Sequence, residues 1–428
     1  MKILVLGSGG REHAIVWKLR QSPRVQSIFC APGNAGIADL ATIVPLLVSD
    51  HAALLQFVQE EQIDLTIVGP DEALAAGIVD LFQADGQKIF GPTQSAARLE
   101  SSKIFAKEFM ERHGIPTAHS GSFSESIEAQ SFCRGKTYPL VIKADGLALG
   151  KGVIIAQNPW EAALAIHEIM DARKFGEAGK RLLIEEFLSG EECSIHALVD
   201  GKNYQLWPSA QDHKRALDGN LGLNTGGMGT FSPVSGLVTP AMESRIHREI
   251  LQPFIDGLAK DNIDYRGMLF PGLMVTADGP KVLEFNCRFG DPETQVLLAR
   301  LDGDLLELLE ATIDRRLADT RPQWKPDVAV CVILASGGYP EKYTSGLVIT
   351  GLNEVPVGAT VFHAGTRRDG DQIVTAGGRV LGVMATAPDL FEARSKAYEA
   401  VDLIEFEGRH CRRDIAATDG RDYARSTL

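Results

Sequence analysis

The most informative stretch of the chain is Val282-Leu283-Glu284-Phe285-Asn286-Cys287-Arg288-Phe289-Gly290-Asp291-Pro292-Glu293. As a strand it would place Glu284, Asn286 and Arg288 on one face, with Leu283, Phe285 and Cys287 facing a core. A carboxylate and an amide oxygen suit Mg²⁺, whose other ligands are phosphates and water. An arginine can hold the charge of a transferring phosphoryl group. This face predicts a magnesium–nucleotide site; the alternative is a polar edge face with a salt bridge.

Composition indicates a soluble globular protein of several domains. The 428 residues suggest two to four domains, and 44% hydrophobic with 23% charged residues is typical of globular chains. A net charge of −13 without a long basic run argues against nucleic acid as a partner. The six cysteines are scattered without C-x-x-C spacing, which favours free thiols and a cytoplasmic location. There is no signal peptide or membrane-length apolar run, so no membrane partner is expected.

The chain divides into three parts by its pattern of strands and helices. Residues 1–102 alternate strands and helices and predict an amino-terminal α/β unit with an open parallel sheet. Residues 103–320 combine helices, strand pairs and glycine-rich loops. A proline-containing linker at 321–326 then leads into a smaller α+β unit over 326–428. The predicted strands are 2–6, 27–30, 65–68, 88–90, 138–143, 152–156, 181–186, 192–199, 328–335, 361–364 and 379–386. The predicted helices are 11–20, 52–60, 72–84, 159–170, 242–258 and 390–404.

A glycine-rich turn joins the first predicted strand to the first helix, at residues 7–10. Backbone N–H groups at such a turn can bind an anion, so Gly9 and Gly10 are candidate phosphate ligands. Glu12 stands where a dinucleotide fingerprint has its third glycine, which argues against a nicotinamide cofactor. Asn34 and Glu72 are expected to line the same edge of the sheet. The alternative is a tight turn that only packs.

Two further segments have residue types that suit nucleotide binding. The first follows Lys143. Lys143 ends a strand and can reach phosphates, and a glycine-rich loop with Gly150, Lys151 and Gly152 can fold over them. It is not a P-loop, which would need Ser or Thr in place of Gly152. A solvated hairpin loop is the alternative.

The strand 181–186 ends in two carboxylates, Glu185 and Glu186. Glu185 could accept a hydrogen bond from the adenine amino group. The backbone at Phe187 and Leu188 offers the other contacts to the edge of the adenine ring. Glu192 could accept ribose hydroxyls. Taken alone, a pair of carboxylates at a strand end is usually solvated.

Residues 211–215 and 224–229 form polar, donor-rich loops. Such loops can bind a carboxylate and screen a reactive intermediate from water. A surface loop without a function is the alternative. Nothing in these segments marks His213 as a general base.

Together these segments resemble the glycinamide ribonucleotide synthetase (phosphoribosylamine–glycine ligase) family of the ATP-grasp superfamily. The resemblance covers almost the whole chain in order. It is carried by residues 6–14, 31–36, 209–215, 224–229, 284–293, 362–366 and 377–380.

The resemblance implies a ligase that uses ATP, with Mg²⁺ or Mn²⁺, to join glycine to 5-phosphoribosylamine through glycyl phosphate in purine biosynthesis. Another ATP-grasp carboxylate–amine ligase is the alternative. It implies a cytoplasmic monomer with a central ATP-grasp fold and a flap over residues 121–190. The implied catalytic residues are Arg288, Asp212 and Lys214, and the implied metal ligands are Glu284 and Asn286. The implied ATP-binding residues are Lys103, Lys143, Gly150, Lys151, Gly152, Glu185, Glu186, Phe187, Leu188 and Glu192. The implied substrate-binding residues are Gly9, Gly10, Asn34, Glu72, Thr225, Gly226, Gly227 and Asp291.

The sequence departs from the family pattern at a few positions. Leu149 replaces a common alanine in the phosphate loop, and Phe270-Pro271 replaces a tyrosine–alanine pair. Ala416 replaces a common glycine. Met274 stands where other ATP-grasp enzymes often place a metal-binding glutamate, so metal binding is expected to depend on Glu284 and Asn286. We expect the chain to lack the additional purine-pathway domains that are fused to this ligase in some relatives.

Overall fold

The computed structural model describes residues 1–147 and 152–417. Its amino-terminal part is a five-stranded parallel sheet with helices on its faces, as predicted. The strands, in spatial order, are Thr42–Ile43, Ser27–Pro32, Lys2–Gly7, Leu65–Val68 and Ile89–Phe90. The helices are Gly10–Leu19, His51–Glu61, Asp71–Ala75, Ile78–Ala84 and Gln94–Ser101. The predicted helix 72–84 is interrupted because Gly77 takes a positive φ of 86°.

The central part contains two antiparallel sheets. The first has the strands Ser120–Phe123, Leu182–Glu186, Leu140–Ala144 and Val153–Ala156, in that order. The second has the strands Glu191–Ser194, Gly267–Thr276, Ala197–Val199 and Tyr204–Leu206, with Gly279–Asn286 also paired to Gly267–Thr276. The predicted strand 192–199 is therefore two strands.

The helices of the central part surround these sheets. They are Lys103–Arg112, Ser126–Cys133, Pro159–Ile166, Pro240–Ile246, Gln252–Lys260, Glu293–Arg300 and Leu305–Ile313. Two of the predicted helices, 159–170 and 242–258, contain π-helical turns at His167–Asp171 and His247–Leu251. Short 3₁₀ turns lie at Ile37–Asp39, Gly176–Lys180, Asp218–Asn220, Leu317–Asp319 and Leu352–Glu354.

The third part is built on an antiparallel sheet that it shares with the central part. Its strands are Gln211–Asp212, Gly229–Ser232, Val328–Ala335, Arg379–Ala387 and Ala359–His363, in that order. The helix Leu390–Val401 packs on this sheet. Two of the five strands precede the predicted linker, so the sheet crosses the predicted boundary.

Three two-stranded ribbons complete the described structure. They are Arg215–Leu217 with Leu221–Asn224, Leu301–Asp302 with Gln323–Trp324, and Thr366–Asp369 with Gln372–Thr375. The second ribbon includes residues of the predicted linker, so this segment is paired rather than a free connection.

One apolar core joins the three parts. Its largest cluster includes Val5 and Ile15 from the amino-terminal part, Leu297 from the central part, and Cys331 and Phe362 from the third part, all buried. All six cysteines are free. No helix in the described residues combines the length and the hydropathy that crossing a membrane requires. The parts are therefore packed against one another around shared hydrophobic contacts.

Candidate active site

A cleft of about 1300 Å³ lies between the two central sheets and extends to the amino-terminal and third parts. Most of the predicted site residues line it. These are Lys103, Lys143, Gly152, Glu185, Glu186, Phe187, Leu188, Glu192, Asp212, Lys214, Thr225, Gly226, Glu284, Asn286, Arg288 and Asp291. Gly9, Gly10, Asn34, Glu72 and Gly227 are not among its lining residues. Gly150, Lys151 and the departure at Leu149 lie outside the described residues.

Glu284 and Asn286 face the cleft from the end of the strand Gly279–Asn286. Burial raises the pKa of Glu284, but Lys214, Lys103 and other nearby cations outweigh it and hold this pKa below its ordinary value. Asn286 Oδ1 accepts one hydrogen bond, from Arg288 Nη2 at 3.1 Å. An ionised carboxylate beside an amide oxygen fits a Mg²⁺ ion that takes its other ligands from phosphate and water.

The strand bears a bulge that moves Leu283 into the cleft. Glu284 pairs with Gly272, but Val282 pairs with Leu273, so the register shifts between them. Val282 and Phe285 consequently enter the core, whereas Leu283 lines the cleft. The prediction that Leu283 faces the core is wrong, because a bulge interrupts the period of two.

Arg288 is fixed by a buried carboxylate that the sequence analysis missed. Its Nη2 lies 3.1 Å from Glu100 Oε1, and Glu100 Oε2 accepts the Cys287 N–H at 2.6 Å. Arg288 Nε is buried with no hydrogen-bond partner among the described residues. Burial lowers the pKa of Arg288, but Glu100 and other carboxylates raise it above its ordinary value. The guanidinium is therefore charged and has a donor to spare.

Lys143 is held by Glu185, which bridges two lysines. Glu185 Oε2 lies 2.6 Å from Lys143 Nζ, and Glu185 Oε1 lies 2.6 Å from Lys107 Nζ. Burial raises the pKa of Glu185, but the two lysines outweigh it and lower this pKa overall. Lys143 Nζ also donates to the backbone oxygen of Leu283 at 3.0 Å. This bond places the lysine beside the residue that precedes Glu284.

Lys103 lies at the first turn of the helix Lys103–Arg112. Its Nζ donates to the Gly146 carbonyl oxygen at 3.0 Å. Asp145 accepts from the Ile104 N–H at 3.1 Å and from Ser102 Oγ at 2.9 Å. The Lys143 strand is thus tied to the beginning of this helix, and three lysines converge on one side of the cleft.

The wall of the cleft beside Glu186 is apolar. Ala118, Leu188 and Met274 are buried and pack with Leu283. Met274 pairs with Lys281 in the sheet, whereas Gly272 is the residue that pairs with Glu284. Met274 lines the cleft within this apolar wall and offers no oxygen to a metal ion, so the expectation that metal binding depends on Glu284 and Asn286 stays a prediction.

Asp212 and Lys214 lie in the middle of the cleft. Lys214 Nζ is 3.0 Å from Glu192 Oε2, and this carboxylate raises the pKa of Lys214. Asp212 Oδ1 is buried and has no hydrogen-bond partner among the described residues. Burial, with Glu293 nearby, raises the pKa of Asp212. Glu293 accepts from Ser194 Oγ at 2.9 Å. Carboxyl oxygens and one ammonium group therefore lie together in this region of the cleft.

The glycine turn of the amino-terminal part carries its own anion. Glu12 Oε2 accepts the Gly9 N–H at 2.6 Å, and Glu12 Oε1 accepts from Arg11 Nε at 2.6 Å. A Cβ on Gly69 would lie 1.9 Å from Glu12 Oε1. The assumption that the Gly9 N–H is free is wrong, because the carboxylate of Glu12 occupies the place of an external anion.

Asn34 and Glu72 follow strands at the same edge of the sheet as the glycine turn, but neither is among the residues that line the cleft. Asn34 Nδ2 donates to the carbonyl oxygens of Ser8 and His363 at 2.8 and 2.7 Å, and its Oδ1 accepts the N–H groups of Gly36 and Ile37. This amide joins two parts of the chain. Glu72 is exposed, and its neighbour Asp71 lines the cleft instead. Loop positions of this kind depend on tertiary contacts that a local pattern does not contain.

The fold and the cleft define an ATP-grasp protein. Comparison with known families agrees: the phosphoribosylglycinamide synthetase N domain matches residues 1–100, the ATP-grasp (A) domain matches 101–294, and the C domain matches 329–418. The chain belongs to the phosphoribosylglycinamide synthetase family, and the predicted resemblance and fold class are confirmed.

Individual relatives are similar over nearly the full chain. A phosphoribosylamine–glycine ligase of Allochromatium vinosum is 51% identical over 97% of this chain and 98% of its own length. A trifunctional purine biosynthetic protein of Gallus gallus is 50% identical over 97% of this chain, which covers 42% of that protein.

Solved structures show the same fold. The phosphoribosylamine–glycine ligase of Thermotoga maritima superposes with a TM-score of 0.82 at 34% identity, covering 97% of this chain and all of that one. A biotin carboxylase of Campylobacter jejuni has a TM-score of 0.74 at 15% identity, covering 96% of this chain and 92% of its own, and supports the fold alone.

Proposed function

We propose that this chain joins glycine to 5-phosphoribosylamine, using ATP and forming glycinamide ribonucleotide, ADP and phosphate in the de novo synthesis of purines (IMP). Relatives that carry the name phosphoribosylamine–glycine ligase support the substrates. The observation that carries the chemistry is the face of Glu284, Asn286 and Arg288, which opens into the same cleft as Lys143.

The reaction needs an activated carboxylate, because a carboxylate does not react with an amine at neutral pH. The carboxylate of glycine attacks the γ-phosphorus of ATP, and glycyl phosphate forms as ADP leaves. Lys143 and Lys103 hold phosphate oxygens. Arg288, with its unused donor, holds the acyl phosphate and the oxyanion of the second step. The amine then attacks the acyl carbon, and phosphate departs.

Glu284 and Asn286 would hold Mg²⁺, or Mn²⁺ in its place. When bound, such an ion neutralises charge on the transferring phosphoryl group. No cluster of three or more His, Cys, Asp or Glu side chains that could hold a metal occurs in the described residues. Two protein ligands suffice for an ion whose remaining ligands are phosphate and water.

Asp212 and Lys214 would bind the ammonium and carboxylate groups of glycine. Glu185 to Leu188, with Glu192, would hold the nucleoside, and Gly150, Lys151 and Gly152 would hold the phosphates. Thr225, Gly226, Gly227 and Asp291 would face the second substrate. The placement of Gly9, Gly10, Asn34 and Glu72 outside the cleft lining does not support the same role for them.

Other features of the protein remain proposals of the same kind. They are a monomeric state, a cytoplasmic location consistent with six free cysteines, boundaries at 1–102, 103–320 and 326–428, and closure of a flap at 121–190.

The decisive test is Glu284→Ala. We expect ATP-dependent ligation to fall by at least about 10²-fold, the scale on which one electrostatic group at a transition state acts. Phosphate release and product would be measured together, with the circular-dichroism melting curve unchanged. Glu307→Ala, on an exposed face of the helix Leu305–Ile313, is the matched control. An active variant, or an unfolded one, would contradict the proposal.

Substrate profiling separates this function from another carboxylate–amine ligase of the superfamily. Each substrate would be omitted in turn, and glycine and phosphoribosylamine would each be replaced by analogues. Product that depends on a different acid or amine would favour the alternative.

A further inference from the structure

Arg379 is one of the residues by which the third part of the chain reaches the cleft. Arg379 begins the strand Arg379–Ala387, and its Nη2 lies 2.8 Å from Asp291 Oδ2. Its Nη1 donates to the carbonyl oxygens of Asp291, at 2.8 Å, and of Gly226, at 2.5 Å. Burial lowers the pKa of Arg379, but Asp291 and other carboxylates raise it overall. A charged, forked group thus ties two central segments together.

A tyrosine of the same part holds the same glycine from its other side. The Gly226 N–H donates to Tyr339 Oη at 3.0 Å. A Cβ on Gly226 would lie 3.0 Å from Arg379 Cζ, which is tighter than ordinary contacts. Both backbone groups of Gly226 are therefore bonded to side chains that come from outside the central part.

The segment that these two side chains hold, residues 224–229, lies against the middle of the cleft. The Thr225 N–H and Oγ1 both donate to the Lys214 carbonyl oxygen, at 2.8 and 2.9 Å. A Cβ on Gly227 would lie 2.6 Å from Asp212 Oδ1. Residues 224–229 consequently contact the backbone of Lys214 and lie beside the carboxyl group of Asp212, the two residues that we assign to glycine.

We propose that Arg379 and Tyr339 are positioning residues that hold residues 224–229 closed over the activated carboxyl group, so that the amine reaches it and water does not. This inference rests on the proposed function. The leak that closure prevents is simple hydrolysis. A water oxygen attacks the acyl carbon, the bond from that carbon to the phosphate oxygen breaks, and glycine and phosphate are released without product.

The test uses Arg379→Lys and Tyr339→Phe in the full chain. Arg379→Lys keeps the charge but loses the fork, and Tyr339→Phe removes one hydroxyl group. Two quantities are measured: glycine-dependent phosphate release without phosphoribosylamine, and phosphate released in excess of product when both substrates are present. We expect each leak to rise about tenfold, the factor for about 1.4 kcal/mol of lost closure, while the KM for ATP stays within about twofold.

Arg368→Lys is the control. Arg368 also comes from the third part and pairs with Asp39 of the amino-terminal part at 2.6 Å, but it does not line the cleft. We expect its leak to equal that of the unaltered protein.

Three outcomes separate the possibilities. If both variants lose ligation rate but release no phosphate in excess of product, Arg379 and Tyr339 have a merely structural role and the inference is wrong. If Arg368→Lys leaks equally, a general loosening of the parts explains the result and the inference is again wrong. If the unaltered protein forms no product from glycine and phosphoribosylamine, the proposed function fails instead.

Discussion

At the level of single residues, the sequence predicted which side chains face the cleft better than it predicted which side chains contact them. Glu284, Asn286 and Arg288 were identifiable because few residue types can hold a metal-bound phosphate, and all three line the cleft. The partners that set their charge were not identifiable. Glu100 and Lys107 come from helices that look ordinary in sequence, and only tertiary packing brings them to Arg288 and Glu185. Glu100 and Lys107 stand seven residues apart on two consecutive helices, a spacing that indicates neither contact.

Glu185 offers a prediction at this scale. In Glu185→Gln, Lys143 and Lys107 would face a neutral amide, so two buried ammonium groups would lose their counter-charge. We expect a loss of about 3–5 kcal/mol in unfolding free energy, the typical effect of removing one partner of a buried ion pair. The KM for ATP should rise as Lys143 loses its position. Denaturant unfolding and initial-rate kinetics would measure both.

Glu111→Gln, on the exposed face of the same helix as Lys107, is the control for that change. Equal stability of Glu185→Gln and Glu111→Gln would show that the bridge between the two lysines is not stabilising.

At the level of elements, periodicity placed most strands within one or two residues and failed where the backbone departs from regularity. The strands Leu65–Val68 and Val328–Ala335 have the predicted bounds. The bulge at Leu283 could not be predicted, because it arises from pairing with Gly267–Thr276 rather than from the strand's own residues. The bulge affects the site, since it turns the apolar side chain of Leu283 toward the cleft.

A substitution at Met274 tests how the apolar wall of the cleft contributes to ATP binding. In Met274→Glu, a carboxylate would replace an apolar side chain that packs with Ala118, Leu188 and Leu283. We expect the KM for ATP to rise at least about tenfold, and the Mg²⁺ concentration for half-maximal activity to stay unchanged. Met274→Leu is the control, since volume-conserving swaps cost less than about 1.5 kcal/mol. Tighter Mg²⁺ dependence in Met274→Glu would show that position 274 does reach the metal.

At the level of the whole molecule, the class of each part was predictable, but the joints between them were not. Alternating strands and helices were enough to indicate the parallel sheet. The sequence did not indicate that the central and third parts share one sheet, which contains Gln211–Asp212, Gly229–Ser232 and the later strands. Antiparallel pairing between distant segments leaves no local pattern. The same joint brings Arg379 to the cleft, which is why sequence reasoning missed it.

Two histidines at the joint of the amino-terminal and third parts predict an acid-sensitive contact. The His363 N–H donates to His13 Nδ1 at 2.8 Å, and His363 Nδ1 lies 3.1 Å from Thr366 Oγ1. Burial, with His363 beside it, lowers the pKa of His13 to about 3, and burial lowers that of His363 to about 4. The folded protein therefore favours the neutral rings.

The unfolded chain takes up these protons near pH 6.5, before the folded protein does, so stability falls as the pH drops below that value. At pH 5 the loss is about 2 kcal/mol for each histidine. We expect the melting temperature of His13→Asn, which keeps an acceptor but does not titrate, to change less between pH 7.5 and 5.0. Exposed His167→Asn should keep the original slope. An unchanged slope in His13→Asn would contradict this account.

Glu12 has a consequence that reaches beyond the cleft. Because the negative group at the start of the first helix is covalently attached, its local concentration does not vary with the phosphate content of the surroundings. The first βα turn can therefore assume its final shape during folding, before any metabolite arrives. Its charge balance should also be indifferent to which metabolites the cell later supplies.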